Sequence, residues 1–310
     1  MDFSDLSIVA LIVSLMIAST PIMFAAIGEL VVEKAGVLNL GVEGMMLMGA
    51  ITGFASAVYT GNPFLGFIGA AIGGALSALI FGFLTQYLLS NQVATGLALT
   101  LFGTGMSALM GQSYNGIKPP SSPRLDIPVL SDLPVVGPIL FSHDFMLYFS
   151  LLLVAGVWFF LNRTRQGLVL RAVGEDHDAA HSLGYNVVLI RLGAIAFGGA
   201  CAGLGGAYLS LIRVPQWTQD MTAGVGWIAL AIVVFASWKP WRIILGAYLF
   251  GGVTVLQLNL QALGVNISAA YLSMTPFIVT IIVLVIMSAN RRRTSLNAPA
   301  MLGRIFHASH

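Results

Sequence analysis

Residues 28–60, GELVVEKAGVLNLGVEGMMLMGAITGFASAVYT, contain an abrupt change in charge. The first half holds three carboxylates, Glu29, Glu33 and Glu43, and then residues 44–117 contain no Asp, Glu, Lys or Arg. A helix needs about 20 apolar residues to cross a hydrocarbon layer about 30 Å thick. The charge-free stretch therefore has room for about three crossings, which predicts that much of this chain lies in a membrane.

The composition of the whole chain indicates the same class of protein. Charged residues make up 8% of the 310 residues and the mean hydropathy is +0.91, whereas about a quarter of the residues in soluble domains are charged. Lipid offers backbone groups no partner, so crossing segments form helices or closed barrels, and the apolar windows here are continuous rather than alternating as in barrel strands. We predict an all-α polytopic membrane protein with about nine transmembrane helices, eight or ten being the alternatives. The predicted spans are residues 6–27, 37–59, 63–89, 93–112, 144–162, 188–212, 222–238, 243–262 and 269–289.

The basic residues predict an orientation, because Lys and Arg concentrate in cytoplasmic loops. With the N-terminus outside, 11 of the 14 Lys and Arg residues fall in the cytoplasm. Residues 1–310 are then one transmembrane domain with an external proline-rich loop at 113–143, a cytoplasmic loop at 163–191 and a basic cytoplasmic tail at 290–310. The net charge of +2 is explained by this topology and does not indicate a nucleic-acid partner. The three basic residues left outside are Lys118, Arg124 and Arg213.

Small residues are concentrated in the third and sixth predicted spans. These two spans run in opposite directions, and an inverted repeat, common in transporters, is one interpretation; chance similarity between Gly/Ala-rich helices is the other. Their glycines recur every three or four residues, which favours close helix packing in lipid over a pathway lined by backbone. These glycines are Gly69, Gly73, Gly74, Gly199, Gly203 and Gly206.

Six polar residues near or within spans are candidates to line a translocation pathway for a polar, uncharged solute. Glu43 lies about 9 Å inside the second predicted span at 1.5 Å per residue, and an ionisable group at such a depth suggests a functional site. The alternatives are that Glu43 pairs with Lys34 or caps a helix. The other five candidates are Asn39, Asn91, Thr95, Gln257 and Asn259.

Motifs for catalysis, cofactors or metals are missing from the sequence. No phosphate-binding P-loop, nucleophile elbow or H-E-x-x-H motif occurs, so we predict no enzyme activity and no cofactor. His177 and His181 have a spacing that can bind a metal on a helix. No third strong ligand is evident beside them, and we interpret this segment as a solvated helix without a metal.

Three segments resemble a known family of membrane proteins. Residues 28–50, GELVVEKAGVLNLGVEGMMLMGA, resemble the N-terminal signature of ABC importer permeases for branched-chain amino acids, ribose and nucleosides. Residues 164–187, TRQGLVLRAVGEDHDAAHSLGYNV, resemble the cytoplasmic coupling segment of that family, and residues 222–252 resemble a third segment. The resemblance extends over roughly residues 20–290. It is greatest to the shorter permease of nucleoside uptake systems.

The resemblance implies the membrane subunit of an ATP-driven importer in the bacterial cytoplasmic (inner) membrane, surrounded by lipid. Its partners would be a second permease in a heterodimer, two cytoplasmic ABC ATPases and an external solute-binding protein or lipoprotein. ATP hydrolysis would take place on the ATPases, and the small-molecule solute would be a nucleoside first and a sugar second. The ATPase-coupling residues implied by the resemblance are Glu175, Asp176, Asp178, Ala179, Ala180 and Gly184, although Glu is frequent in the family where this chain has Asp178.

One alternative function remains open beside these expectations. The chain could be a secondary transporter driven by an ion gradient, with Glu43 as the ion site.

For the charged cluster at residues 29–34, we expect Glu29, Glu33 and Lys34 to lie on a cytoplasmic turn after the first span. The glycines that follow would permit an irregular start to the second span.

Overall fold

The computed structural model describes residues 8–126, 136–262, 271, 274–288 and 297–307. Seven of its helices are long and apolar enough to cross a membrane. These are α1 (Ile8–Lys34), α2 (Val42–Thr60), α3 (Pro63–Gln86), α4 (Gln92–Gly111), α6 (Phe145–Arg163), α9 (Val187–Tyr208) and α11 (Pro240–Ala262). The shorter helices are α5 (Val136–Leu140), α7 (Arg165–Glu175), α8 (His177–Ser182), α10 (Val225–Phe235) and α12 (Thr275–Ser288).

The predicted all-α membrane class agrees with this bundle, and the predicted number of nine spans is not confirmed. The seventh predicted span, 222–238, contains only the eleven-residue helix α10. Part of the ninth, 269–289, lies outside the described residues, and its described part is α12, with fourteen residues. Within the predicted loop 113–143, residues 127–135 lie outside the described part of the chain, and the rest forms α5 and two short strands. Strands β1 (Arg124–Asp126) and β2 (Ser142–Asp144) pair antiparallel.

Short polar residues cap the N-termini of six of the described helices. The side chain of Asn91 accepts a hydrogen bond from the third residue of α4, and Asp144 accepts one from the third residue of α6. Thr164, Asp176 and Asn186 do the same for α7, α8 and α9. Such caps satisfy N–H groups that have no partner inside a helix. They therefore fix where each helix starts in this otherwise apolar chain.

The centre of the bundle is the contact of α9 with α2 and α3, and glycine makes it possible. A Cβ placed on Gly206 of α9 would collide with the carbonyl oxygen of Met46 in α2. One placed on Gly203 would collide with the carbonyl oxygen of Ala70 in α3, and one on Gly74 with that of Gly199. Small residues let backbones approach closely in lipid, so the packing interpretation of these glycines is confirmed.

Helix α2 begins inside the bundle rather than at its end. A Cβ on Gly44 would lie 2.5 Å from the carbonyl oxygen of Leu99, and one on Gly103 would lie 2.6 Å from the Gly44 backbone. Leu99 and Gly103 lie 7 and 11 residues beyond Gln92, the first residue of α4, or about 10 and 16 Å along the helix. The start of α2 therefore lies beside the interior of α4, about 10 Å from the first residue of that helix.

The irregular segment 35–41 connects the end of α1 to this deep start and is largely buried. Gly36 within it has φ 82°, a left-handed conformation that glycine adopts without strain. The expectation of an irregular start to the second span is thus confirmed. The first span, predicted to end at residue 27, continues to Lys34.

The bundle has two ends, and the chain runs back and forth between them. The proline-rich end holds the α2–α3 turn, the β1–β2 pair and the end of α9, which finishes in a π-helical turn, Leu209–Arg213. The opposite end, called here the α8 end, holds α7, α8, the last turn of α1, the first turns of α4 and α9, and residues 297–307. The predicted coupling residues all lie at the α8 end.

Candidate functional site

Glu43 holds the N-terminus of the short helix α10 in the interior of the bundle. Its Oε1 accepts hydrogen bonds from the hydroxyl of Thr222 at 2.6 Å and from the N–H of Gly224 at 2.8 Å. Its Oε2 accepts one from the N–H of Gly226 at 2.6 Å. A carboxylate is stabilised at a helix N-terminus by the free N–H groups and by the helix dipole. Helix capping, one of the alternatives for Glu43, is therefore what the structure shows.

The contact with Glu43 means that α10 starts inside the bundle, beside the start of α2, and extends toward the α8 end, where Trp238 contacts Glu33 of α1. The chain reaches this point through an irregular stretch in which Asp220, Ala223 and Gly224 have positive φ values of 53°, 45° and 86°. A Cβ on Gly226 would lie 2.6 Å from the Glu43 backbone, so the two segments touch directly. α10 is a half-helix whose N-terminus lies deep in the membrane domain.

Glu29 and Glu33 are buried inside the bundle, and the expectation that they lie on an exposed turn is wrong. Both are in α1 and are 2% exposed. Glu33 accepts a hydrogen bond from the indole N–H of Trp238 at 2.5 Å. Oε2 of Glu29 lies 3.5 Å from the side-chain nitrogen of Asn39. Oε1 of Glu29 has no hydrogen-bond partner among the described residues. The α10–α11 turn, which contains Trp238, therefore contacts the last turns of α1.

The other candidate pathway residues divide into two groups. Asn39 is buried next to Glu29 and also accepts a hydrogen bond from the N–H of Gly41, which shapes the segment before α2. Asn91 caps α4, and the Thr95 hydroxyl bonds that of Ser90 at 2.9 Å; both lie at the α8 end.

Gln257 and Asn259 are different, because both are half-buried on α11, a helix otherwise apolar enough to cross a membrane. Asn259 donates a hydrogen bond to the carbonyl oxygen of Val255 in its own helix. The structure thus does not bring the six candidates together in one cluster. It places Gln257 and Asn259 on different sides of α11, because they are two residues apart in a helix, and the other four at or near the start of α2 and α4.

The predicted coupling residues form one exposed surface on and beside α8. Glu175, Asp176, Asp178, Ala179 and Gly184 are all exposed, whereas Ala180 is 3% exposed and faces the bundle. Asp176 caps α8 by accepting hydrogen bonds from the N–H groups of Asp178 and Ala179. Gly184 has φ 87° and ends the turn after α8. The adjacent Leu183 is 77% exposed, a large apolar side chain at the tip of an otherwise polar surface.

Arg191 of α9 connects α8 to the rest of the bundle, a role that the sequence analysis did not predict. It is fully buried in α9, although the sequence suggested a loop charge. Its guanidinium donates to the carbonyl oxygens of Ala35 at 3.2 Å and Arg304 at 3.1 Å, and it lies 3.1 Å from Nδ1 of His177. One cation thereby connects α1, α8, α9 and the C-terminal residues.

His177 is buried, and its environment favours the neutral imidazole. Burial lowers its pKa, and the positive charge of Arg191 lowers it further. Nδ1 then accepts from Arg191, which leaves the proton on Nε2, 3.7 Å from Asp178. The charges around it are Asp176 and Asp178, which raise the pKa, and Arg191 and Arg304, which lower it. His177 is thus a buried acceptor, and the described residues contain no group of three or more His, Cys, Asp or Glu that could hold a metal.

An apolar groove of about 960 Å³ lies between α1, α6, α7 and α9. Its walls include Val157, Phe160 and Phe197, with Arg165 and Tyr185 toward the α8 end. None of the six candidate pathway residues lines it, so we do not assign the solute pathway to this groove.

Comparison with known proteins gives a consistent group of relatives. A family model described as "Branched-chain amino acid transport system / permease component" matches residues 11–287. The chain is 47% identical over 251 residues to a putative glucose ABC transporter permease of Haloferax volcanii, covering 79% of this chain and 76% of that one. No solved structure matches.

Two further relatives are named for nucleosides. A nucleoside ABC transporter permease of Lactococcus lactis is 31% identical over 287 residues, with 88% of this chain and 90% of the relative covered. A guanosine ABC transporter permease of Bacillus subtilis is 31% identical over 285 residues, with 87% and 89% covered.

Proposed function

This chain belongs to the family of permease components of branched-chain amino acid transport systems, and from that premise we propose a more specific function for it. It is a permease subunit of an ABC transporter. It forms half of the pathway of an importer that brings a small, uncharged, hydroxylated solute across the cytoplasmic membrane. A second, related permease forms the other half, two separate ATPases supply the energy and an external solute-binding protein delivers the solute.

The observation that carries this proposal is the construction of α8. A six-residue helix is too short to be stable alone in water, yet here it is capped at its start and fixed to the bundle through its buried side. Its other side presents Asp178, Ala179 and Leu183 outward. A rigid, exposed helix at the end of a membrane bundle is suited to fit a groove of another protein. We therefore propose that residues 175–184 contact the ATPase.

The solute pathway follows the outer face of α11. Thr254, Gln257 and Gln261 are half-buried there at a spacing of three and four residues, whereas Asn259 lies on the opposite side of the helix. Polar side chains that face lipid are unfavourable, and in membrane proteins they usually face a partner helix or a water-filled path. This face of α11 is accordingly proposed to meet the second permease and to line the pathway. Asn39, Glu43, Asn91 and Thr95 shape its end near α8.

The charge of the interior favours a neutral solute. Deep half-helix N-termini of transporters attract anionic groups such as the carboxylate of an amino acid. In this chain the deep N-terminus of α10 is already bound by Glu43. A nucleoside and a sugar, the solutes named in the relatives, are neutral and share a ring with several hydroxyl groups. These two classes are the candidates to test, the nucleoside first.

Copurification and transport together test the proposal. The complex extracted in mild detergent should contain ATPase and second permease in stoichiometric amounts. In proteoliposomes with the binding protein, uptake of labelled nucleoside or glucose should require ATP, stop with vanadate and continue with a protonophore. Unlabelled nucleoside and glucose as competitors then identify the solute class. Uptake by this chain alone that a protonophore abolishes would instead support an ion-coupled carrier.

A further inference from the structure

We propose that residues 297–307, called here the tail clasp, hold α8 in the position from which its movement reaches α1, α4 and α9 together. The inference rests on the proposed role of α8 in ATPase coupling. It assigns a coupling function to a C-terminal segment that the sequence marked only as a basic tail. The residues that carry it are Asn297, Met301, Gly303, Arg304 and Phe306.

The clasp begins by binding the end of α1 and the end of α7 through backbone groups. The ammonium group of Lys34 donates to the carbonyl oxygen of Asn297 at 2.8 Å. The N–H of Gly303 donates to the carbonyl oxygen of Gly36 at 3.1 Å, and the N–H of Met301 donates to that of Gly174 at 3.0 Å. A Cβ on Gly174 would collide with the carbonyl oxygen of Lys34, so α7 already touches α1, and the clasp secures both.

The carbonyl oxygen of Arg304 then joins two further helices. It accepts from the guanidinium of Arg191 in α9 at 3.1 Å and from the side-chain amide of Gln92 in α4 at 3.5 Å. The same Arg191 contacts His177 of α8. Because Gln92 also accepts from the N–H of Leu38 through its side-chain oxygen at 2.8 Å, the clasp, α4 and the segment before α2 meet at one point.

The clasp ends with an aromatic side chain beneath α8. The ring of Phe306 is 5% exposed and lies 5.3 Å, centroid to centroid, from the rings of both His177 and His181. Phe306 forms one apolar cluster with Val173 of α7, Ala180 of α8 and Val187 of α9. It therefore supplies the surface on which the short helix rests.

This arrangement has a mechanical consequence. Along the chain, α8 is connected only to α7 and α9. Helix α7 already touches α1 through Gly174, and the clasp adds further hydrogen bonds to the end of α1 and a contact to α4. A displacement of α8 by the ATPase would thus move four helices of the bundle as a unit, whereas without the clasp it would act through α7 and α9 alone. Contiguous packed and hydrogen-bonded networks of this kind carry coupling between distant sites.

The test uses the complete transporter in lipid nanodiscs and compares Phe306→Ala with two controls. Phe306→Leu keeps an apolar side chain under α8. His307→Ala changes the neighbouring side chain, which is exposed. We expect Phe306→Ala to lower solute-stimulated ATP hydrolysis about fivefold, with both controls close to the original protein. Equal stimulation in Phe306→Ala and the unchanged protein would overturn the inference.

A truncation after Leu296 removes the clasp and leaves residues 291–293 in place. We expect it to lose stimulation, by uncoupling or by release of the ATPase, and to regain it when a peptide of residues 297–310 is added. A peptide carrying Phe306→Ala should not restore it. Failure of the unmodified peptide to restore stimulation would contradict a positioning role. If the unmodified complex itself binds no ATPase, the proposed function fails, and this result is distinct from failure of the clasp alone.

Discussion

Replacing Glu43 by glutamine is the sharpest test of the half-helix at the centre of the bundle. The carboxylate accepts from two backbone N–H groups and one hydroxyl. A glutamine has one oxygen and one NH₂ group, so in either orientation an N–H of Gly224 or Gly226 faces another donor. The hydroxyl of Thr222 can rotate to accept, but a backbone N–H cannot.

The expected loss follows from these contacts. Hydrogen bonds to charged groups contribute about 1.5–3 kcal/mol, and a buried donor left without a partner costs about 1–3 kcal/mol. We therefore expect Glu43→Gln to destabilise the protein by about 2–4 kcal/mol and Glu43→Ala, which leaves all three donors unpaired, by about 3–6 kcal/mol. Thr222→Val removes a donor without leaving a backbone group unpaired and should cost only about 1 kcal/mol.

The assay is the apparent melting temperature of the purified permease in detergent, followed by fluorescence-detected size-exclusion chromatography. A loss of about 2–4 kcal/mol should lower it on the order of 5–10 °C. Glu175→Gln, at an exposed position, is the control and should change stability by less than about 0.5 kcal/mol. If Glu43→Gln melted with the unchanged protein yet lost uptake, the capping role would be refuted and an ion site at Glu43 would be supported.

Three further predictions concern other parts of the molecule. Gly206→Ala places a Cβ on a carbonyl oxygen of α2 and should abolish the monodisperse folded protein, whereas Gly105→Ala, which meets nothing within 4 Å, should purify normally. Leu183→Ser removes the apolar tip of α8 and should weaken ATPase binding roughly tenfold in a titration of permease with ATPase. Because the pKa of His177 is lowered, its stabilising contribution is complete above about pH 6.5 and is lost as the pH falls through the lowered value. The protection factors of residues 297–307, which correct hydrogen exchange for its intrinsic pH dependence, should fall between pH 7.5 and 5 in the original protein but not in His177→Gln, which keeps an acceptor for Arg191. An equal fall in both proteins would contradict this role of His177.

The sequence predicts the membrane class and most span positions because both depend on local composition. Charge-free windows reveal α1 to α4 and α6, and small residues at helical spacing indicate the tight α2–α3–α9 contact. At residues 222–238 the same windows predict a full span, whereas the structure has only an eleven-residue helix. The number of apolar residues does not show where the backbone becomes irregular. There, positive φ values at Asp220, Ala223 and Gly224 delay the helix until Val225.

The interactions that define the candidate site were harder to predict, since each joins distant parts of the chain. The partner of Glu33 is Trp238, 205 residues later, so the sequence alone suggests an exposed charge. Glu43 could be assigned a capping role as an alternative, but not the helix that it caps. Arg191 looks like a loop charge until its three partners are known. Phe306 follows a basic stretch and carries no periodic signal of its own.

The proposed function requires α8 to be a cytoplasmic contact for an ATPase, and cysteine labelling measures this directly. Cys201 is the only cysteine in the sequence and is buried in α9, so Ala179→Cys adds a single reactive position on the exposed side of α8. A membrane-impermeant maleimide should leave intact cells unlabelled, label inside-out vesicles stripped of ATPase, and be blocked when the ATPase is added back. Labelling of Ala179→Cys in intact cells, or labelling that the ATPase does not block, would contradict the account.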